Sequence, residues 1–373
     1  MAELTPEDSL RLNVMLAGDI QAIRIDAANM TIYGLSPRGT ATVKLHSPGR
    51  ADQYLRTARE LLAGFAIGSP GGYPVYLQRW TRMGQTRDAQ LDKLLLLGEP
   101  EAVVAVAGAA GLSDELARRA WWAMPSADIA RRMLEKETVV RGNIGKELAA
   151  YLVEHLPFET DPLTIITTVR LVLQPGMLDA DTCQRIWERG THRNVYHIGF
   201  LQAIPDQLPN PLPARRDLPV YDVALANLEA TGLALAGLLR KLLSSAGQTY
   251  LHVCTDQLEH PVDKETVAAL LNTIGDYFRN DTAERITARD IETAQQQAEQ
   301  YIVSHAAAVK LLKQHPELTP ELIATFVLSC ASETLVIPIL ANTSATGTLL
   351  RKKLEPVLQP LLRQFNVLRN SNL

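Results

Sequence analysis

Thiols and imidazoles are the first groups in this chain whose types could do chemistry. Cys183, His192 and His197 lie within one short stretch, and His252, Cys254 and His260 within another. Nitrogen and sulfur donors gathered this way suit zinc. Neither set has a paired C-x-x-C or the four-residue step that places two ligands on one helix face, so the expectation is no metal site. A sulfur carrier or cysteine enzyme would need an exposed thiol with a lowered pKa, and no activating motif accompanies Cys183, Cys254 or Cys330. G-x-S-x-G and H-E-x-x-H are missing from the sequence and no catalytic arrangement of paired carboxylates is evident, so no catalytic residue and no cofactor is expected. Gly68-Ser69-Pro70-Gly71-Gly72 has backbone freedom enough to cradle an anion. It lacks the Lys-Ser/Thr of a phosphate loop and the spacing of a dinucleotide fingerprint, and reads as a tight turn between two domains.

A second chemistry belongs to rings mixed with guanidinium groups. Tyr73, Tyr76, Arg79, Trp80 and Arg82 follow the glycine-rich turn, with Arg87 close behind. Trp121 and Trp122 stand beside Arg118 and Arg119, with Arg131 and Arg132 one helix further on. Such mixtures stack on bases and also form energetic centres of protein interfaces. The plainer reading is core packing with a solvated basic face, because arginine stems cover apolar surface while their heads stay wet. Adjacent tryptophans on a helix point about 100° apart, so both are buried only between two neighbours.

The elements that must position these groups are mostly helices. Thr5-Pro6-Glu7-Asp8 starts the first one, with Thr5 as cap, Pro6 where a missing N–H costs nothing, and acids at the positive end of the dipole. Three runs then alternate with period two, over 21–26, 30–33 and 40–45, separated by turn residues; they predict a small antiparallel meander. A helix over 51–67 follows, with Tyr54, Leu55, Ala58, Leu61, Leu62 and Phe65 inward. Short helical patterns come next at 88–97, 99–109, 113–124, 126–136, 144–156, 161–174, 179–189 and 193–204, with Pro or Gly at nearly every junction. Leu116-Ala117-Arg118-Arg119-Ala120 is echoed by Ile129-Ala130-Arg131-Arg132-Met133, and short helices at close spacing suggest an irregular array of the HEAT type. Residues 205–213 carry Pro205, Pro209, Pro211 and Pro213 and read as an extended linker. Beyond it, Tyr221 to Leu242 reads as one long apolar helix. Further helices are expected from Lys264, from the capping pair Thr287 and Asp290 with His305 on an apolar stripe, and from Thr319; Pro338, Pro356 and Pro360 predict kinks or breaks near the end.

The fold class is therefore mainly α. The expected organisation is an α+β unit over 1–85, a short-helix array over 86–204, a proline-rich linker over 205–219 and a C-terminal helical bundle over 220–373. A chain of 373 residues is long enough for two or three domains. Hydrophobic content of 46% with 21% charged residues is that of a globular protein, and only 5% aromatics favours helix-on-helix packing of Leu, Ala, Val and Ile. A net charge of −4 argues against a general nucleic-acid-coating protein, though not against a local basic patch. Acids at 3, 7 and 8 do not fit a signal peptide. The long uncharged run 334–350 contains Pro338, Asn342 and Gly347 and is no membrane span. Three scattered cysteines fit a reducing cytoplasm.

The run from Gly68 to Gln85, GSPGGYPVYLQRWTRMGQ, resembles the DsrS family, cytoplasmic accessory proteins of sulfur-oxidising bacteria. Leu95 to Val106, LLLGEPEAVVAV, and Ala117 to Pro125, ARRAWWAMP, are similar to the same family, and the likeness extends from Thr5 to about Ile204. The resemblance implies an accessory or regulatory role beside the reverse-acting dissimilatory sulfite reductase system, with a protein of the sulfur-oxidation machinery as partner. It brings no catalytic residue with it. Three functions follow as expectations: a non-catalytic scaffold or regulator acting by protein–protein contact, an RNA- or DNA-binding regulator using the paired arginines, and a cysteine-dependent sulfur carrier.

Overall fold

The structure is a computed structural model and describes residues 3–68, 91–191, 193–279, 290–304, 306–341 and 345–369. The chain is mainly α-helical, with a small antiparallel sheet near its N-terminus. It divides into two compact units, the first made of Met1–Phe158 with Gln174–Leu178 and the second of Glu159–Leu173 with Asp179–Leu373.

In the first unit, α1 (Pro6–Leu16) begins as its sequence dictates: Thr5 accepts the Asp8 N–H at 3.2 Å, and Leu12, Met15 and Leu16 turn inward. Strands β1 (Ala22–Asp26), β2 (Thr31–Ser36) and β3 (Gly39–Lys44) form the expected meander in that order. Side chains of paired strands alternate between faces with period two. The row Ile25, Ile32 and Val43 shares one face, and the row Arg24, Tyr33 and Thr42 the other. Ile23, Ile32 and Val43 pack with Leu12, Tyr54 and Leu62 into one core, Tyr54 and Leu62 coming from α2 (Ala51–Ile67). Phe65, expected inward, is 53% exposed; Ala63 and Ala66 are buried instead, because the inward stripe is narrower than the apolar pattern suggests.

Asp8 is buried among these elements. Its carboxylate accepts the His46 N–H at 2.8 Å and the Tyr54 hydroxyl at 2.7 Å. Burial works against the charge, but these donors prevail and hold its pKa below the ordinary 3.8.

Short helices follow: α3 (Leu91–Leu94), α4 (Pro100–Gly108), α5 (Asp114–Ala123), α6 (Ala127–Leu134), α7 (Glu137–Val140) and α8 (Ile144–His155). They pack mainly on near neighbours in sequence, α4 on α5 and α6, and α6 on α8; α5 also packs on β1. Ser113 and Ser126 cap α5 and α6, accepting the N–H groups of Leu116 and Ile129. The β1 edge is closed where the Ile23 N–H reaches the Leu95 carbonyl at 2.8 Å.

The second unit contains α9 (Pro162–Val172), α10 (Ala180–Arg189), α11 (Val195–Ala203), α12 (Leu218–Ala230), α13 (Ala234–Leu243), α14 (Ser245–Glu259), α15 (Lys264–Phe278), α16 (Ile291–Ser304), α17 (Ala306–Gln314), α18 (Thr319–Ser329), α19 (Ile337–Leu340) and α20 (Gly347–Leu368). Three expectations are corrected here. The long helix from Tyr221 to Leu242 is two helices, broken where Gly232 takes a left-handed φ of 86° and the Leu233 N–H turns back to the Leu228 carbonyl. Pro356 and Pro360 do not break the last helix: α20 runs through both, held by a buried face of Leu350, Leu354, Leu358, Leu361 and Phe365. The carbonyls left without an N–H donor are those of Lys352 and Pro356, both exposed residues off that buried face. The proline-rich segment is fastened inside the second unit and is no free linker. The Thr249 hydroxyl accepts the Leu212 N–H at 2.9 Å, the Ser245 hydroxyl donates to the Leu212 carbonyl, and Leu208 is buried.

Asp290, half of the expected capping pair, caps α16 by accepting the Thr293 N–H at 2.7 Å. Thr287 and His305 lie outside the described residues. No helix among the described residues is long and apolar enough to cross a membrane.

Candidate functional site

Tyr73, Tyr76, Arg79, Trp80, Arg82 and the glycine-rich turn at 69–72 lie outside the described residues. Arg118, Arg119, Arg131 and Arg132 lie on α5 and α6. Helix α5 sorts its residues by the 3.6-residue period. Ala117, Ala120 and Trp121 are buried, while Glu115, Arg118, Arg119 and Trp122 follow i, i+3, i+4 and i+7 along the outer stripe.

The two tryptophans thus part company, as their angular separation requires. Trp121 is core: its indole N–H donates to Glu147 Oε1 at 2.8 Å, and its ring meets Tyr151 edge-on at 4.8 Å. Trp122 is half-buried and reaches toward the sheet. There the Arg24 guanidinium sits over two rings, 4.9 Å from the Tyr33 centroid and 5.1 Å from that of Trp122. A cation over an aromatic face at this range is held electrostatically by the ring quadrupole. The Arg24 side chain makes no hydrogen bond or ion pair with any of the described residues. Asp26, two residues along the same strand face, is occupied: it accepts the Asn29 N–H at 3.0 Å and the Asn29 side-chain amide at 2.8 Å. Those bonds, with a smaller contribution from Arg24, hold the Asp26 carboxyl below its usual range.

The paired arginines are largely neutralised within their own helices. Arg118 donates to both Glu115 oxygens, from Nε at 2.8 Å and Nη2 at 2.7 Å, and Arg119 Nε donates to Glu115 at 2.8 Å. The Arg118 fork is the largest cause that brings the Glu115 carboxyl down to about 2, against a desolvation that opposes it. Asp114 is engaged elsewhere, accepting the N–H groups of Asn143 and Ile144 at the start of α8. On α6, Arg131 Nη2 meets Asp128 at 2.5 Å, while Arg132 is exposed. Three of the four predicted arginines that are described therefore face acids of their own helix, and the stripe alternates in sign.

The thiols are placed against reactivity. Desolvation raises the pKa of Cys183, with Asp179 adding to it; burial raises Cys330 and pushes the fully buried Cys254 far up. A carrier thiol needs the opposite shift. His197, one of the candidate ligands, is core: its ring lies 4.2 Å from Trp187, Nε2 donates to the Trp187 carbonyl at 3.2 Å, and the Gln257 amide lies 3.3 Å from Nδ1. His252 accepts from Arg369 at 3.0 Å, and His260 Nδ1 bonds the Asp256 carbonyl at 2.9 Å. His192 lies outside the described residues, and among the described ones no three His, Cys, Asp or Glu side chains group to hold a metal ion.

What the arrangement can do is present a fixed guanidinium between two rings, beside a stripe of mixed charge. Arg and aromatic residues together are the composition of interface energetic centres. Sequence reasoning missed Arg24 and Tyr33. Their shared face was readable from the period-two alternation, but neither the register nor the docking of α5 on β1 was. Compared with protein-family models, curated proteins and solved structures, the chain matches none.

Proposed function

We propose that this protein acts by protein–protein contact through the face that carries Arg24, Tyr33, Trp122 and the Glu115–Arg118–Arg119 stripe. Arg24, held between two half-exposed rings and without a side-chain hydrogen-bonding partner among the described residues, is the observation that carries the reading. Its rings are already packed against the cation, so little side-chain freedom is lost on docking. The likeness of 68–85, 95–106 and 117–125 to DsrS proteins supplies the setting: a cytoplasmic accessory or regulatory role in bacterial dissimilatory sulfur oxidation, with a component of that machinery as partner. The nucleic-acid reading is weaker. Phosphate recognition needs free cations, and Arg118, Arg119 and Arg131 are spoken for by Glu115 and Asp128.

The test is a tagged full-length chain recovered from nuclease-treated lysate of cells grown on reduced sulfur, beside Trp122→Ala. Sulfur-oxidation proteins retained by the wild type and lost from the variant, at unchanged melting temperature, support the proposal. A catch of RNA or DNA, abolished by nuclease, favours the other reading. Equal capture by both chains rejects this face.

A further inference from the structure

Among the described arginines of the first unit, Arg24 is set apart by what holds it: Arg38 and Arg132 also form no ion pair with a described residue, but Arg24 is the one that lies over ring faces. Arg11, Arg59, Arg118, Arg119, Arg131 and Arg141 each pair with a carboxylate. Arg24 instead has ring faces on Tyr33 and Trp122, and its side-chain N–H donors have no acceptor among the described residues. The stack leaves the chemistry of the fork unspent. A guanidinium presents five donors in a plane, in the geometry that accepts a carboxylate with two parallel bonds. Rings over its faces fix the group and thin the water around it, which strengthens each bond to an anion.

The surroundings select the anion. Asp26 stands on the same strand face, and Glu115 and Asp128 are exposed acids on α5 and α6. A polyanion laid across this face meets a negative charge beside nearly every positive one. A single carboxylate reaching Arg24 meets only Asp26, whose charge is already shared with the Asn29 backbone and side-chain N–H groups, and its apolar flank finds the rings of Tyr33 and Trp122.

We infer that Arg24, held between Tyr33 and Trp122, is the receptor for one Asp or Glu carboxylate of the protein partner. This rests on the interaction reading above and adds the chemistry of the contact. The acid anchors and orients, and the two rings supply the apolar contact around it.

The experiment is selection of a random dodecapeptide phage library on the immobilised full-length chain, followed by titration of the recovered peptides in solution. The expected binders share an Asp or Glu next to an apolar residue. Arg24→Gln weakens them about tenfold to a hundredfold, the size of a lost charge-assisted contact, and Arg24→Lys by less. Changing the peptide acid to its amide costs the wild type as much, yet costs Arg24→Gln little, so the two changes are not additive. Thermal melting of each variant guards against simple unfolding. Peptides without a required acid, additive losses, or a library with no Arg24-dependent binder overturn the inference. So does a single-stranded oligonucleotide that binds more tightly than any peptide through Arg24. Peptides that need Trp122 but ignore Arg24 leave the interaction face standing and remove only the carboxylate; the interaction reading itself falls separately, if Trp122→Ala leaves partner capture intact.

Discussion

At Gly98, in the connection between α3 and α4, the chain takes a φ of 66°, and a Cβ there would stand 2.8 Å from the Ile25 side chain. Both facts oppose any other residue, one by backbone strain and one by overlap with the strand that carries Arg24. Gly98→Ala is expected to cost about 1–3 kcal/mol, seen as a lower urea midpoint with an unchanged slope. The thiols make a second residue-scale prediction. Cys254 and Cys330 are buried with raised pKa values, and Cys183 is half-buried with its thiol also raised. Under native conditions a maleimide should label Cys183 slowly and the other two only on unfolding. Fast labelling of any of them at neutral pH would return the sulfur-carrier reading to contention. Individual residues were the least legible part of the sequence. Trp122 and the arginine pairs stood out by type, but Glu115 is what neutralises Arg118 and Arg119, and its i+3 and i+4 spacing was there to be read. Arg24 drew no notice, because its meaning comes from Tyr33 across the strand pair and Trp122 on a helix nearly a hundred residues away.

Elements were more legible, where local rules decide them. The cap at Thr5 and the proline after it set α1 as read, and Ser113 and Ser126, which were not singled out, cap the helices expected to begin there. The failures came where packing overrides a local rule, at Pro356 and Pro360, or where a glycine conformation cannot be foreseen, at Gly232. The 205–219 segment is a third case. Arg215 is buried and donates to Asp217 at 2.7 and 2.6 Å, to Glu321 on α18 at 2.7 Å and to the Val367 carbonyl on α20 at 3.2 Å. One side chain ties a proline-rich loop to two helices of its unit. Arg215→Ala leaves the Glu321 carboxylate buried without its cation and should cost about 3–5 kcal/mol. Arg215→Met with Glu321→Leu should recover most of that, since an apolar pair of similar volume removes the uncompensated charge. Urea unfolding of the single and double variants checks both. A small loss in the single variant would mean that the segment is held mainly by Leu208, Thr249 and Ser245.

At the scale of the molecule, the two units carry their ionisable groups differently, and acid should separate them. In the second unit His197 is held below its ordinary 6.5, first by burial, with the Trp187 carbonyl partly opposing. As pH falls through 6.5 the unfolded chain takes up a proton that the folded one refuses, so stability is present above that value and drains away below it. His252 shifts the same way through burial and Arg369, but it is exposed and contributes less. Among the described residues of the first unit, the shifted groups that titrate in acid are carboxylates held low: Asp8 and Asp26 below 3.8, and Glu115 down from 4.5 to about 2. Their contribution is complete above their ordinary values and is lost only as pH drops beneath them. Between pH 7 and 5 the second unit should therefore lose stability while the first keeps its own; each ~1 kcal/mol lost moves the midpoint by about 2–4 °C. Hydrogen exchange resolved by segment tests this, with α11 and α14 reporting on His197 and α1 and α2 on Asp8. His197→Gln retains a donor for the Trp187 carbonyl and cannot take up the proton, so it should flatten the response of the second unit over that range. If α1 and α2 open first on mild acidification, or if His197→Gln leaves the response unchanged, burial of that imidazole is not what sets the order.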